Sequence, residues 1–380
     1  MKPRGERPPP RSYAGDPRPW ADARRILAVR LDTLGDVLMT TPAFRALKES
    51  GPGRHLTLLT SPSGAGAARL IPEVDDVVVY RAPWMPVTPG PSGREADLRM
   101  VDRLRRGRFD AAVVFTVYSQ NPLPAALLCS LAGIPLKLAH SRERPYALLS
   151  DWVPEEEPER FVRHEVRRQL DLVATVGART SNERLSLAVP EAASRRVEEL
   201  LDELGLGGSG ERWVVMHPGA GAPSRRYPPE GFADVARRLV HEDGCRVLLT
   251  GSDAERELVE GLQGSVGPGA HPLPGRLDLG ELAALIERSP LLIANNTGPV
   301  HVAAAVGTPV VVLYALTNPQ HTPWEVPSRV LSHDVPCKFC YRSVCPEGHH
   351  NCLRLVSPES VLEAARDLLS SVAERQHSVR

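Results

Sequence analysis

The stretch Leu291–Tyr314 has the sequence LLIANNTGPVHVAAAVGTPVVVLY, and it predicts the fold class of the chain. Apolar runs open and close it, over Leu291–Ala294 and Val310–Tyr314. Between them, Thr297-Gly298-Pro299 begins a segment of small residues that ends at Gly307. A strand, a polar turn, a helix and a second strand in this order form the repeating unit of a parallel sheet.

The turn before this helix has two interpretations. The first N–H groups of a helix have no partner inside the helix, and the dipole makes that end positive, so Thr297 and Gly298 suit a bound phosphate. Thr297 also suits a plain helix cap, with Gly298 permitting the turn. Taken alone, the stretch favours the cap.

Composition restricts the class of protein. A length of 380 residues allows two domains, and a formal net charge of zero argues against a nucleic-acid partner. No apolar run approaches the ~20 residues that cross a bilayer. The Pro- and Arg-rich start, MKPRGERPPPRSYAGDPRPW, has no apolar core. We therefore expect a disordered extension over residues 1–22 and a cytoplasmic protein.

The first half carries one carboxylate at an informative place. Arg25–Leu31 reads as a buried strand, and the loop Asp32–Asp36 precedes a predicted helix over Val37–Lys48. Asp36 is either a helix cap, worth ~1 kcal/mol, or a general base at the mouth of the sheet. Gly35 indicates an unusual backbone angle or close approach by a ligand. Spacing alone favours the cap.

Strand and helix signals alternate through both halves, which predicts two doubly wound sheets. The first domain is predicted over residues 23–178 and the second over residues 179–356. Asp151–Arg160 is acidic and Pro-rich and reads as a loop. The amphipathic segment 358–369, within the C-terminal stretch 357–380, is predicted to pack back on the first domain.

The second half has two further candidate binding segments. Trp213–Met216 is a predicted strand that runs into the glycine-rich loop His217–Pro229, whose adjacent arginines suit a diphosphate or are simply solvated. Asp253, just after the predicted strand Val247–Gly251, either binds ribose hydroxyls or caps the next helix. Neither segment is specific alone.

Two groups of residues have less certain roles. His140, Arg142 and Arg144 form a basic group that either binds an anionic acceptor or is a solvated face. The other group is the cysteine-rich segment 337–352. Its cysteines, with CxxC spacing at the start, suit a structural zinc ion, and the alternatives are reduced thiols, two disulfides or an iron–sulfur cluster. They are Cys337, Cys340, Cys345 and Cys352.

Four segments in order resemble glycosyltransferase family 9, the ADP-heptose:lipopolysaccharide heptosyltransferases. They are ILAVRLDTLGDVLMTTPAFRAL (Ile26–Leu47), MHPGAGAPSRRYPPEGFADVARRL (Met216–Leu239), LLTGSDAERE (Leu248–Glu257) and LIANNTGPVHVAAAVGTPVVVLYALTNP (Leu292–Pro319). The resemblance implies a GT-B fold: two facing Rossmann-like doubly wound parallel-sheet domains with an inter-domain cleft.

The resemblance also implies an inverting sugar transfer, from an ADP-heptose donor onto a cell-envelope glycan or lipid-linked saccharide, with Asp36 as general base. No cofactor is expected for catalysis, and the enzyme is expected in the cytoplasm or at the inner face of the cell membrane. The resemblance implies donor contacts at Ser224, Arg225, Thr297, Gly298, Pro299 and His301. From the residue pattern we add Gly35, Gly251, Asp253, Leu277 and Asn296 as donor-binding residues, and His140, Arg142 and Arg144 as acceptor-binding residues.

The chain departs from the family pattern at two of these positions. The family commonly has Lys where this chain has Arg225, which keeps the charge but changes the geometry of a phosphate contact. It commonly has Asp where this chain has Asn296, which keeps the hydrogen-bonding shape without the charge. Two other functions remain open: a nucleotide-sugar 2-epimerase of the same architecture, and a non-catalytic nucleotide-sugar-binding protein.

Overall fold

The computed structural model describes residues 18–85, 93–208 and 212–378. The chain divides into two compact units. The first contains residues up to Asn182 apart from Leu70–Pro72, and the second contains Leu70–Pro72 and the chain from Glu183 onward. The division falls four residues after the predicted boundary at residue 178.

The first unit is built around six parallel strands. These are β1 (Arg25–Arg30), β2 (His55–Thr60), β3 (Asp76–Val79), β4 (Ala111–Val114), β5 (Leu136–Ser141) and β6 (Asp151–Pro154). The helices are α1 (Arg18–Asp22), α2 (Leu34–Glu49), α3 (Ala65–Ala68), α4 (Arg94–Gly107), α5 (Leu123–Leu131) and α6 (Glu165–Ala174). The strand order is β3-β2-β1-β4-β5-β6.

The second unit repeats this plan. Its strands are β7 (Trp213–His217), β8 (Arg246–Gly251), β9 (Ala270–Pro274), β10 (Leu292–Asn295), β11 (Val310–Leu313) and β12 (Ser328–Leu331). Its helices are α7 (Glu191–Glu203), α8 (Pro229–His241), α9 (Arg256–Val266), α10 (Leu279–Arg288), α11 (Gly298–Val306), α12 (Asn351–Arg354) and α13 (Pro358–Ser378), with 3₁₀ turns at Pro223–Arg225 and Asp253–Glu255. The order β12-β11-β10-β7-β8-β9 is the order of the first sheet, with β7 and β10 in the places of β1 and β4.

Apolar strands buried on both faces explain why the sheets are parallel. In β1, every residue after Arg25 is buried, and Ile26 pairs with Leu56 on one side and Ala111 on the other. In the second unit, β10 and β11 are buried throughout, and α11 ends at Gly307, whose φ of 86° a side chain would disfavour. The predicted strand–helix–strand order of Leu291–Tyr314 is confirmed.

Three sequence-based predictions need correction. Residues 1–17 of the predicted extension lie outside the described part of the chain. Residues 18–22 form a helix, because Trp20 is buried and its indole N–H donates to Asp151 at 2.9 Å. The same bond draws Asp151 into β6, so the predicted loop begins only after Pro154. The C-terminal helix was predicted to pack on the first domain, but Val361, Leu362, Ala365 and Leu368 join the core of the second unit on α8.

None of the helices in the described part combines the length and the apolarity that a membrane span requires.

Candidate functional site

Both sheets have a topological switch point, where strand order reverses and the loops that follow neighbouring strands leave in opposite directions. In the first unit this point lies between β1 and β4, and in the second between β7 and β10. Ligands of open parallel sheets bind beyond the carboxyl ends of the strands at such points. The predicted site residues of each unit can therefore be examined around its own switch point.

Asp36 lies at the switch point of the first unit, in the first turn of α2 after β1. One carboxylate oxygen accepts from the Thr33 backbone N–H at 3.1 Å and from the Thr33 hydroxyl at 2.7 Å. The other faces Arg30 Nη2 at 3.3 Å. With 16% of its side chain exposed, the carboxylate is both held in place and open to a ligand. The structural and functional interpretations of Asp36 are thus compatible, and Gly35 is buried in the turn beside it.

Arg30 is the centre of a buried charge cluster. Its guanidinium is fully buried and contacts Asp32 at 2.9 Å, Glu165 at 2.9 Å and Asp36. Burial opposes the charge of Arg30, but the three carboxylates together raise its pKa. Burial also raises the pKa of Asp32 to about 6, against the attraction of Arg30, and the nearby Asp36 raises it further. The cluster holds more carboxylates than Arg30 can balance by itself, and that makes the pKa of Asp32 sensitive to its neighbours.

A second layer supports this cluster from α6. The Gln169 side chain donates to Glu165 at 2.7 Å and to the Thr116 carbonyl at 3.0 Å. Arg168, also buried, donates to the same carbonyl at 3.0 Å and pairs with Glu157 at 2.7 Å. Because these bonds join α6 to the chain that follows β4, Asp36 and the residues that support it form one connected network at the switch point.

The predicted acceptor-binding residues follow β5. His140 is buried, and its pKa lies well below the usual value, because burial and the charges of Arg168 and Arg163 disfavour the imidazolium. Arg142 pairs with Glu159 at 2.8 Å. His140 and Arg142 both line a cavity of about 410 Å³, whereas Arg144 is exposed and lies over the Tyr146 ring. His140 therefore contributes no positive charge to the predicted basic group.

Asn295 fixes the loop of the second unit that follows β7. Its carbonyl oxygen accepts from the Tyr227 N–H at 2.9 Å, and its amide donates to the Pro218 carbonyl at 2.6 Å. The two ends of the glycine-rich loop are thereby tied to the end of β10 across the switch point. Sequence reasoning missed this role, although a polar residue that ends a buried strand was a signal for it.

Ser224 and Arg225 occupy a 3₁₀ turn within this loop. Ser224 is buried, and both its N–H and its hydroxyl donate inside the protein, to the carbonyls of Ser343 at 3.0 Å and Arg342 at 2.9 Å. The half-buried Arg225 guanidinium forms no ion pair within the described part of the chain. Ser224 therefore holds the turn, and Arg225 is the cation that the turn presents.

The start of α11 lies on the other side of the same switch point. Thr297 caps the helix with its backbone extended and makes no side-chain cap bond. Pro299 has no N–H, and the Val300 N–H donates to the Thr297 carbonyl at 3.1 Å, so the Gly298 N–H is the first-turn donor left for a ligand. Gly298 and Pro299 form the first turn, and His301 is buried behind it. This is the arrangement that binds anions at helix N-termini.

Buried polar side chains surround this helix start. Asn296 is 1% exposed and lies beside the Tyr314 hydroxyl, but its amide nitrogen makes no hydrogen bond of good geometry within the described part of the chain. The Thr317 hydroxyl and the Gln320 carbonyl oxygen are also buried and unpartnered. Burial raises the pKa of Tyr314 to about 12, which keeps its hydroxyl neutral and donating to the Asn318 carbonyl at 2.7 Å. Unsatisfied buried groups are uncommon in folded proteins and mark sites that a ligand completes.

The loops after β8 and β9 hold the remaining predicted donor residues. Gly251 ends β8, and Leu277 follows β9, partly buried. Asp253 is exposed and pairs with the Arg256 side chain at 2.6 Å, whereas the cap at this turn is the box of Ser252 and Glu255. Glu255 instead approaches the glycine-rich loop, since a side chain added at Gly219 would lie 1.9 Å from its carboxylate. The sequence analysis did not identify Glu255.

The four cysteines of segment 337–352 come together around one small cavity of about 20 Å³. All four are free thiols, and the Cys337 sulfur lies 3.7 Å from His349 Nε2. Burial, with the nearby thiols, raises the pKa of Cys352. Among the residues that the structure describes, no three His, Cys, Asp or Glu side chains already stand in metal-ligand geometry.

Comparison with known proteins identifies the family. The model of glycosyltransferase family 9 (heptosyltransferase) matches residues 98–351, more than half of the chain. The chain belongs to glycosyltransferase family 9. The predicted enzyme class, a glycosyltransferase, is thereby confirmed.

Relatives of this family 9 chain cover almost its whole length. Lipopolysaccharide heptosyltransferase 2 of Salmonella typhimurium is 27% identical over 356 residues, which are 91% of this chain and 99% of that protein. A family 9 glycosyl transferase from Veillonella parvula superposes with a TM-score of 0.78 at 24% identity, covering 92% of this chain and 98% of its own. E. coli heptosyltransferase WaaC with ADP-2-deoxy-2-fluoro heptose gives 0.62 at 16% identity, covering 91% and 99%. The predicted GT-B fold class, with two Rossmann-like parallel-sheet domains, is confirmed.

Proposed function

We propose that this family 9 enzyme transfers heptose from ADP-heptose to a lipopolysaccharide core acceptor with inversion, and that Asp36 is the general base. The observation that carries the proposal is the position of Asp36 at the switch point of the first unit, held by Thr33 and Arg30 and still partly exposed. The names of the relatives support the donor and the acceptor class.

In the proposed reaction, Asp36 accepts the proton of an acceptor hydroxyl while the hydroxyl oxygen attacks the anomeric carbon. A new glycosidic bond forms on one face of the sugar as the bond to the diphosphate oxygen breaks on the other. ADP leaves with the bonding electrons, so negative charge grows on its phosphate. General base assistance of this kind contributes typically ~10²–10⁴-fold in rate.

The second unit supplies the groups that this leaving charge needs. The Gly298 N–H at the positive end of the α11 dipole and the Arg225 guanidinium are positive groups at one switch point. Fixed donors and cations aimed at developing charge lower the barrier without the reorganisation that water requires. The unpartnered amide of Asn296 is a donor for a ligand oxygen, which is how we interpret the replacement of the family's Asp.

The cavity that holds His140 and Arg142 is our proposed acceptor-binding region. A neutral, buried imidazole suits a sugar hydroxyl, because it can donate to or accept from that group without a charge to balance. Arg142 is already paired with Glu159, and Arg144 is exposed, so a phosphate on the acceptor would meet Arg144 more readily.

The test compares the wild type with Asp36→Asn in ADP release from ADP-heptose with a heptose-accepting lipopolysaccharide core. We expect kcat to fall by about 10²–10⁴-fold while the Kd for ADP changes less than about twofold. Asp76→Asn is the matched control, because this exposed carboxylate lies at the amino end of β3, away from the carboxyl edge.

Each other outcome contradicts a specific part of the proposal. Normal turnover of Asp36→Asn removes Asp36 as the base. If the wild type epimerises the free donor, the protein is an epimerase and not a transferase. If the wild type binds ADP but turns over no core acceptor, it is a binding protein.

A further inference from the structure

The cysteine-rich segment 337–352 encloses a cavity that the transfer reaction does not use. All four thiols line it, together with Ser224 of the glycine-rich loop. A volume of about 20 Å³ is close to that of one water-sized sphere and far too small for a sugar or a nucleotide. The space admits a single ion or one water molecule, and the four thiols that line it favour a thiophilic metal ion.

We propose that Cys337, Cys340, Cys345 and Cys352 bind one zinc ion, and that this ion holds the Ser224–Arg225 turn in place. Thiolates are the ligands that zinc selects in structural sites, and Cys337 and Cys340 have the CxxC spacing of such sites. Zn–S bonds of about 2.3 Å at tetrahedral angles place sulfurs roughly 3.8 Å apart. Four thiolates at that spacing enclose one ion, and the four cysteines that line the cavity supply that number of ligands.

His349 decides between a four-cysteine site and one with a histidine ligand. Its Nδ1 accepts from the Asn351 N–H at 3.0 Å, so the neutral ring carries its proton on Nε2. That nitrogen lies 3.7 Å from the Cys337 sulfur, at the distance of an N–H···S hydrogen bond. A protonated nitrogen has no lone pair for a metal. His349 therefore donates to the Cys337 thiolate from outside the ligand set and reduces the negative charge of four thiolates around one zinc ion.

The backbone of the segment needs a cross-link to keep its shape. Phe339, Tyr341 and His350 all have left-handed backbones, with φ of 60°, 54° and 53°. Such conformations disfavour residues with side chains and persist where surrounding interactions impose them. Val335 is the one buried residue from Ser332 to Cys352, so the segment has almost no apolar core of its own. A metal ion supplies such segments with the folding free energy that a core otherwise provides.

The segment is bonded directly to the carboxyl edge of the second unit. Ser343 and Arg342 accept the two hydrogen bonds of Ser224. Nearby, Phe339 and Tyr341 donate backbone N–H groups to the carbonyls of Leu316 at 2.6 Å and Thr317 at 2.8 Å. Loss of the ion would free these acceptors and release the turn that presents Arg225. That last consequence, weaker donor binding, rests on the proposed function, whereas the zinc site does not.

The first experiment measures zinc and iron by mass spectrometry in the full-length protein, purified with a thiol reductant and without chelator. We expect about one zinc per chain in the wild type and in Cys129→Ala, a buried cysteine of the first unit that serves as control. Cys340→Ser and Cys345→Ser should each retain less than about a fifth of it. His349→Gln should keep one zinc but release it to a chromogenic chelator about 10-fold faster.

Hydrogen exchange of the wild type, before and after zinc removal by a mercurial and a chelator, tests the link to the turn. We expect exchange to rise at least about 10-fold in peptides covering residues 222–228 and 337–352 and to stay unchanged in α2. ADP affinity should fall in the same samples. If wild type fails to bind ADP at all, the proposed function is wrong, but the zinc and exchange results still decide this inference.

Four results would overturn it. If the wild type contains no zinc, or contains iron in its place, the zinc assignment is wrong. If Cys340→Ser and Cys345→Ser both retain all their zinc, these cysteines are not ligands. Loss of zinc in His349→Gln makes His349 a ligand. Unchanged exchange over residues 222–228 separates the ion from the turn.

Discussion

Replacement of Asp32 by Asn tests the charge cluster at the centre of the first unit. Asp32, Asp36 and Glu165 all contact the one guanidinium of Arg30. Burial raises the pKa of Asp32 from 3.8 to about 6, so the folded state holds this proton more tightly than the unfolded state does. Ionisation of Asp32 therefore destabilises the fold. The cost is absent below about pH 3.8, grows through the window up to about pH 6, and is complete above it.

The size of the effect follows from the two pKa values. A difference of one unit between the folded and unfolded pKa corresponds to about 1.4 kcal/mol, so ionised Asp32 lowers the free energy of unfolding by about 3 kcal/mol at pH 7.5. At pH 4.5 most of the folded molecules retain the proton, and linkage leaves about 1 kcal/mol. Asparagine has no charge to bury and can still accept from Gln120. We therefore expect Asp32→Asn to gain about 2 kcal/mol more, relative to wild type, at pH 7.5 than at pH 4.5.

The measurement is urea unfolding of both proteins at the two pH values, followed by circular dichroism, with the difference in free energy compared between pH values. Asp75→Asn in the same unit is the control. Burial disfavours the Asp75 carboxylate, but bonds from Lys48 and the Leu56 N–H lower its pKa overall. Both pH values lie above its ordinary pKa of 3.8, so its removal should cost nearly the same stability at pH 7.5 and at pH 4.5. If the Asp32→Asn difference is the same at both pH values, or becomes more destabilising as pH rises, our account of the cluster is wrong.

Three further predictions concern the loops and the buried histidine. Asn295→Ala leaves the buried Tyr227 N–H and Pro218 carbonyl without partners, so it should lower the free energy of unfolding by about 2–4 kcal/mol. It should also weaken ADP binding, measured by calorimetry. If the variant is as stable as the wild type, the loop does not depend on Asn295. Gly219→Ala places a methyl group against Glu255 and should raise the KM for the donor. Adding Glu255→Ala should reverse much of that rise, and no reversal would show that the contact is not its cause. The pKa of His140 is lowered on folding, so the stability that this group contributes is complete above about pH 6.5 and is lost as pH falls below it. His140→Asn should therefore make the free energy of unfolding depend less on pH between about pH 5 and 6.5. An unchanged slope would contradict the buried neutral ring.

The sequence supported the parallel-sheet plan and the position of Asp36, because both depend on local patterns. Apolar runs separated by polar turns indicated most strands, and a glycine–aspartate pair after a strand indicated the first site. Partners far apart in the chain left no such pattern. The bonds of Asn295 reach back 77 residues to Pro218 and 68 residues to Tyr227. Arg30 and Glu165 are likewise joined only by folding.

The errors have the same origin. Asp151–Pro154 lacks the apolar alternation of a strand and becomes one because the buried Asp151 bonds to Trp20. The apolar stripe of α13 indicated that the helix packs on something, but it did not indicate which unit supplies the surface. Ser224 looked like a ligand contact because the carbonyls that accept its protons lie 118 residues further along the chain at Arg342, and at the adjacent Ser343.

The two units share one strand order and differ in the charge that their switch points carry. In the first unit, the carboxylates of Asp32, Asp36 and Glu165 meet at Arg30, and the edge is suited to taking a proton. In the second, a helix N-terminus and the unpaired Arg225 meet uncharged amides and hydroxyls, and the edge is suited to holding phosphate. Because the sheets are alike, this difference cannot come from topology. It comes from the loop residues after β1 and β7 and from the amides after β10. The proposed inverting transfer requires both edges, one for the proton acceptor and one for the leaving diphosphate, and the loop residues of the two units are chemically suited to these separate roles.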